Sequence, residues 1–235
     1  MKNKWITSPY IVWMILFIVV PILLVLSYSI TFKDGSGLSF TMENYKRFFD
    51  PIYIGVLVHS INLALISTGI CLLLGYPMAM IIAKAPIRYR NMLILFFVIP
   101  MWMNFLLRTY AWMTLLERSG LINKFLALLN LPAVNIMYSN GAVVLGMVYN
   151  FLPFMVLPIY SVLIKIDKSL IEAAEDLGAD ELRVFRDVIF PLSLPGVVSG
   201  IVMVFMPAIT TFVISRLLGG GQFTLIGNLI EQQFL

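Results

Sequence analysis

The sequence predicts an all-α membrane protein: a polytopic helical bundle with five visible spans and a short charged loop that itself forms helix. Three observations predict this class. Of the 235 residues, 60% are hydrophobic and only 12% charged, and the mean hydropathy is +0.95, far above soluble domains. The apolar residues also come in blocks long enough to cross ~30 Å of hydrocarbon, which takes ~20 residues at ~1.5 Å each. The short alternating segments of a transmembrane β-barrel are not visible.

The spans fall at about Tyr10–Ile30, Gly55–Ala83, Met92–Leu116, Gly141–Ile164 and Leu194–Ile214. The first follows Lys2 and Lys4, but its apolar run is too long for a signal-peptide core and no small-x-small cleavage site follows it, so a retained span is expected. With the N-terminus cytoplasmic, the inner loops hold Lys2, Lys4, Lys84, Arg88, Arg90, Lys165, Lys168, Arg183 and Arg186, and the outer loops hold Lys33, Lys46, Arg47, Arg118 and Lys124. Nine inner cations against five outer ones favour that orientation. The chain reads as one transmembrane domain over residues 1–235. It stops at Leu235 after GNLIEQQFL, which is too short to span, so the sequence is expected to be cut before a further span.

Composition excludes several chemistries. One cysteine, Cys71, and one histidine, His59, cannot make a disulfide or a Cys/His metal cluster. The formal charge of +4 sits in short loops beside the spans, where it sets topology, and does not point to nucleic acid. The spans lack the acid pair or histidine cluster that an intramembrane protease or lipid transferase would need. No GxxxxGKS/T phosphate loop occurs, so no nucleotide or other cofactor is expected on this chain.

Each span contains proline: Pro21, Pro77, Pro100, Pro153 with Pro158, and Pro195 with Pro207. Bent helices around a wet pathway would explain this, and so would the general tolerance of membrane helices for proline. Arg108 is the intramembrane charge. On a straight third span it lies ~24 Å from Met92, near the outer interface, either as a snorkelling anchor or as a pathway or gate residue. Tyr110, Trp102 and Trp112 offer faces to a cation or form an interfacial aromatic belt. Gly196-Val-Val-Ser-Gly200 is a GxxxG pattern that permits close helix contact, including contact with another subunit.

The stretch EAAEDLGADELRVFRDVIFPL, Glu172 to Leu192, crowds charge between two apolar runs. Ser169 and Glu172 have capping-box spacing. Leu170, Ala174 and Leu177 form an apolar stripe, and Glu172, Glu175 and Asp176 lie largely off it. Gly178 permits the left-handed turn that ends a helix. A second short helix follows, capped by Asp180 and with Leu182, Phe185 and Ile189 as its apolar face, closed by Pro191 and Pro195. Charges around an apolar stripe suit a protein partner. A helix resting on lipid headgroups would want Lys and Arg where this one is acidic.

Glu172, Ala173, Ala174, Gly178 and Pro191, with Val188 and Phe190 where Ile and Leu are usual, resemble the EAA signature of permease subunits of ABC-type importers. That resemblance implies that the loop, about residues 165–193, is a coupling helix docking in a groove of an ATP-hydrolysing subunit. LLRTYAWM, EAAEDLGA and FMPAITTFVISRLLGGGQFTLIG further resemble the spermidine/putrescine permease subfamily over nearly the whole chain. The subfamily has six spans. It also has acids near positions that here are Thr210, Thr211 and Arg216, neutral or basic. The resemblance implies a permease subunit in the bacterial cytoplasmic membrane, with a second permease, a binding protein and two identical ATPase subunits carrying ATP and Mg, surrounded by membrane lipid. The expected coupling residues are Glu172, Ala173, Ala174, Gly178, Val188 and Pro191. The expected pathway residues are Arg108, Tyr110, Trp112, Thr211 and Phe212. Thiamine, phosphonate or iron are the alternative substrates, and a non-ABC channel or assembly subunit is the alternative role.

Overall fold

The computed structural model describes residues 4–34 and 37–234. Lys2 and Leu235 lie outside the described residues, as do the side chains of Lys4 and Lys33. The chain divides into two compact units, Met1–Gly55 and Val56–Leu235.

The first unit opens with α1 (Lys4–Met14) and α2 (Val20–Ile30), joined without a break by one wide π turn, Ile15–Val19. Pro21 explains the turn. It has no N–H to donate and its ring crowds the preceding turn. The Val20 amide reaches back five residues to the Ile15 carbonyl instead. The apolar run Ser8–Ile30 buries none of its side chains in the protein. Strands β1 (Thr31–Asp34) and β2 (Gly37–Phe40) then pair antiparallel, Thr31 opposite Phe40. This small hairpin is an addition to the expected all-helical class. Helix α3 (Glu43–Phe48) follows, and the Asn44 amide donates to the Ser29 carbonyl at 3.2 Å, which helps close the C-terminal end of α2.

The second unit is built around α8 (Asn140–Leu163), whose Val143, Met147, Met155, Val156 and Ile159 are fully or almost fully buried. On one side lies α4 (Pro51–Lys84), with Ser67 Oγ donating to Met147 Sδ at 3.3 Å and the Cys71 thiol directed at the Val148 carbonyl at 3.8 Å. On the other side lies α11 (Phe190–Thr210). The Gly196 and Gly200 pair closes this α8–α11 contact. A Cβ on Gly196 would sit 2.9 Å from the Pro158 carbonyl oxygen, and one on Gly200 would sit 2.7 Å from Met155 Sδ. The GxxxG pattern is therefore spent inside the chain rather than on another subunit.

The expected third span is not straight. Helix α5 (Ile87–Trp102) stops two residues after Pro100, and α6 (Phe105–Leu116) restarts at a steep angle. The bend between Ile87–Trp102 and Phe105–Leu128 is 93°. Asn104 makes the restart possible, because its side-chain oxygen accepts from the Leu106 and Leu107 amides at 2.9 and 3.4 Å. Helix α7 (Leu121–Leu128) continues this arm.

The fifth span also differs from expectation. It begins at Glu181, not Leu194, and runs unbroken to Thr210. Pro191 and Pro195 do not close the loop helix. The chain passes through a second π turn, Phe185–Ile189, directly before Pro191, in the same way as before Pro21. At Thr211 the backbone leaves the helix, and α12 (Val213–Leu218) and α13 (Ile226–Phe234) follow.

Adding a methyl where backbone meets backbone should be costly. Gly196→Ala is expected to lower stability by about 1–3 kcal/mol, whereas Gly69→Ala, whose Cβ would meet nothing within 4 Å, should not. Thermal unfolding of the two variants in detergent checks this.

Candidate functional site

The charged loop is two helices around one turn. Helix α9 (Lys168–Asp176) is capped by Asp167, not by Ser169, because the Asp167 carboxylate accepts from the Ser169 amide at 3.0 Å. The hydrogen bonds from Ser169, backbone first and then side chain, hold the Asp167 carboxyl below its ordinary range. This contribution is complete at neutral pH and is lost as pH falls through the lowered value.

At the far end, the Gly178 amide donates to the Glu175 carbonyl at 2.9 Å and the Ala179 amide to Ala174 at 3.0 Å. Gly178 itself sits at φ +82°. That is a complete Schellman ending. Asp180 then caps α10 (Glu181–Val184), accepting from the Arg183 amide at 3.1 Å.

The burial pattern separates an inner from an outer face. Ile171, Ala174, Val184, Phe185, Val188 and Ile189 are buried or half-buried. Around the glycine turn, Leu177 is 90% and Leu182 72% exposed, with Leu170 also exposed. Glu172, Ala173 and Pro191 are exposed too. The outer face is thus apolar at its centre and acidic at one flank. Leu182, expected to share one apolar face with Phe185 and Ile189, is exposed while those two are half-buried.

The loop is tied mechanically to the spans. Tyr76 of α4 packs its ring against Phe185 and Phe190, at 5.8 and 6.0 Å between centroids, one aromatic on the π turn and one just after it. Its hydroxyl bonds Ser193 Oγ at 2.8 Å. The loop thus touches α4 and α11 through one shared contact. Sequence reasoning missed Tyr76 because its partners lie more than a hundred positions away.

A second constellation sits at the bend. Arg108 is only 8% exposed. Its Nη1 donates to the Pro100 carbonyl at 2.8 Å, on the last turn of α5, where carbonyls lack helical partners and carry the negative end of the dipole. The guanidinium lies over the rings of Phe105 at 5.9 Å and Tyr149 at 5.8 Å. Tyr149 meets Trp112 edge to face at 5.1 Å. Arg108 and Trp112 are thus brought together through Tyr149 of α8, while Tyr110 on the same helix is exposed.

Thr211 and Phe212 lie at a different break. The Phe212 carbonyl accepts from Asn228 Nδ2 at 3.0 Å and from Ser215 Oγ at 3.0 Å. Asn228 Oδ1 takes the Leu225 amide at 3.2 Å and lies beside Ser215 Oγ, whose single proton is shared between it and the Phe212 carbonyl, and Ser60 Oγ of α4 accepts from the Ile226 amide at 2.9 Å. Gly227 lets α13 approach the broken end of α11, since a Cβ there would sit 2.3 Å from the Thr210 oxygen. Arg216 pairs with Glu231 at 3.2 Å, so an acid does stand beside Arg216, supplied from α13.

Several helices long and apolar enough to cross a membrane, and a loop with an outward apolar centre packed against two of them, describe a polytopic membrane component. Residues 72–234 match the family model described as the binding-protein-dependent transport system inner membrane component, and the chain belongs to that family. It is 43% identical over 228 residues to the spermidine/putrescine transport system permease protein PotB of Escherichia coli, spanning 95% of this chain and 83% of that one. The PotB protein of Haemophilus influenzae is 41% identical over 229 residues, 95% of this chain and 80% of that one. A bacterial ABC transporter involved in the import of the acidic polysaccharide alginate superposes with TM-score 0.75 over 100% of this chain and 85% of that chain, at 19% identity. That last likeness is one of fold.

Removing the buried charge at the bend should be costly. Arg108→Met is expected to destabilise the chain by about 1.5–3 kcal/mol, the range for a hydrogen bond to a charged group. Thermal unfolding in detergent, with Tyr110→Phe on the exposed side as control, reads the difference.

Proposed function

We propose that the chain is the membrane-spanning permease of an ATP-driven polyamine importer, coupled to a separate ATPase through the Glu172–Pro191 segment. The observation that carries the substrate class is the 43% identity, across 95% of the chain, to a spermidine/putrescine permease. The docking reading is supported by the outward face at the glycine turn. Leu177 and Leu182 expose apolar surface that a groove on a partner would bury, and Glu172 offers a rim charge.

In this mechanism a binding protein delivers substrate on one side, a second permease completes the pathway, and closure of two identical ATPase subunits pushes the loop helices. ATP and Mg reside on those partners. The Tyr76–Phe185–Phe190 contact carries the push into α4 and α11. The orientation follows from charge. Lys84, Arg90 and Lys168 line one recess and so share one end of the bundle, and an end rich in Lys and Arg stays cytoplasmic. The N-terminus is then cytoplasmic as well. Of the pathway residues, Tyr110 and Phe212 are exposed, whereas Arg108 and Thr211 are buried and Arg108 is bonded to the bend beside it.

The test is purification of the chain from its native cells in mild detergent, with mass identification of co-purifying proteins and an ATPase assay with spermidine and putrescine. A co-purifying ATPase stimulated by either polyamine is expected. An ATPase without stimulation removes the substrate, and no ATPase in an otherwise intact complex removes the coupling role. Leu177→Glu with Leu182→Glu should leave insertion normal yet reduce ATPase co-purification at least ten-fold. Gly178→Val, which strains a φ of +82°, should lower uptake more than it lowers chain abundance, as measured by labelled polyamine accumulation against immunoblot.

A further inference from the structure

A recess of about 650 Å³ lies where α4 ends, α5 begins and α8 ends, roofed by the start of α9 and by the second π turn. Its size is that of a small-ligand site. Three cations line it, Lys84, Arg90 and Lys168, and no carboxylate does. Most of the remaining lining is apolar, including Met80, Leu163 and Ile189.

Arg90 is held in place rather than free. Its Nη2 donates to the Ala83 and Ala85 carbonyls at 2.8 and 3.2 Å, at the C-terminal end of α4. Its Nε is buried and has no hydrogen-bond partner among the described residues. A fixed guanidinium thus shares the recess lining with two lysines. Asp167 turns its carboxylate onto the Ser169 amide, and among the described residues none of the three cations forms an ion pair.

We propose that this recess binds an acidic phospholipid. Its phosphodiester is held by Lys84, Arg90 and Lys168, and its acyl chains run over the apolar wall. Three helix ends meet there, which places the site at headgroup depth, and basic pockets between helices at that level suit anionic lipid heads. Ile87 and Ile164 of the lining are themselves exposed at the mouth of the recess, and chains too long for the cavity can leave along them. A neutral lipid would leave the three cations unneutralised. A free anion would leave the apolar wall uncovered. Because Ile171 of α9 and Ile189 of the π turn form part of the lining, a bound lipid braces the underside of the loop helix while its outer face stays open to a partner.

The experiment is native mass spectrometry of the full chain, in the complex with which it purifies, extracted in neutral detergent. It is titrated with dioleoyl phosphatidylglycerol or with phosphatidylcholine of the same chains. This reads bound lipid directly and does not depend on what the protein transports. At least ten-fold tighter retention of phosphatidylglycerol is expected. Lys84→Glu with Lys168→Glu, which leaves Arg90 on its carbonyls, should bring retention to the phosphatidylcholine level. The neutral pair Lys84→Gln with Lys168→Gln should weaken it in the same direction if the reversed pair does not assemble. Equal retention of the two lipids, or unchanged retention of phosphatidylglycerol in the substituted pairs, overturns the proposal. Displacement of the lipid by millimolar inorganic phosphate also overturns it, because the recess would then be a free-anion site.

Discussion

Inside hydrocarbon a backbone group that leaves a helix has no water to turn to, and each unsatisfied one costs several kcal/mol. Much of this structure answers that constraint. The chain breaks its helices at Met103–Asn104 and at Thr211–Phe212, and both breaks carry their own polar partners. At the first, Asn104 takes the amides that start α6, and Arg108 donates to a carbonyl that ends α5. At the second, Asn228 serves the Phe212 carbonyl and the Leu225 amide together, while Ser60 reaches across from α4 to the Ile226 amide. The side chains that look most like transport machinery in the sequence are in part the ones that make bent backbone tolerable.

Proline acts in three ways here. Before Pro21 and Pro191 the helix widens by one π turn and continues, because the residue ahead of each proline shifts its bond to a carbonyl five residues back. After Pro100 and Pro207 the helix ends within four residues. A neighbouring polar side chain able to cap the exposed ends distinguishes the second pair. The result is a bundle whose central helix, α8, stays whole through Pro153 and Pro158 while helices beside it bend.

The loop helices gain their leverage from this arrangement. Because α10 flows through a π turn into α11, a push on the loop is a push on a membrane helix with no flexible linker between. Tyr76 ties α4 to the same segment, and the glycine-lined contact holds α11 close against α8. The π turn, Phe185–Ile189, lies between the exposed face of the loop and the buried part of α11.

Composition and hydropathy by themselves determined the membrane class and the helical spans, because the length of an apolar run is a one-dimensional property. Local chemistry likewise determined the glycine turn at Gly178 and the cap at Asp180, since both involve neighbours within a few residues. The capping residue of α9 was misplaced by two positions, Asp167 serving instead of Ser169, because two adjacent cap signals compete and only backbone geometry selects one. The 93° bend after Pro100 and the continuation of helix through Pro191 could not be told apart from sequence. Both are proline in an apolar run, and the outcome rests on whether Asn104 and Arg108 can reach the broken ends. Only the tertiary structure decided that Arg108 turns back onto Pro100 and Tyr149, that Gly196 and Gly200 are consumed within the chain, and that Tyr76 joins the loop to the bundle. Each of these depends on groups far apart in sequence, or on a direction of backbone travel that no pattern of residue types encodes.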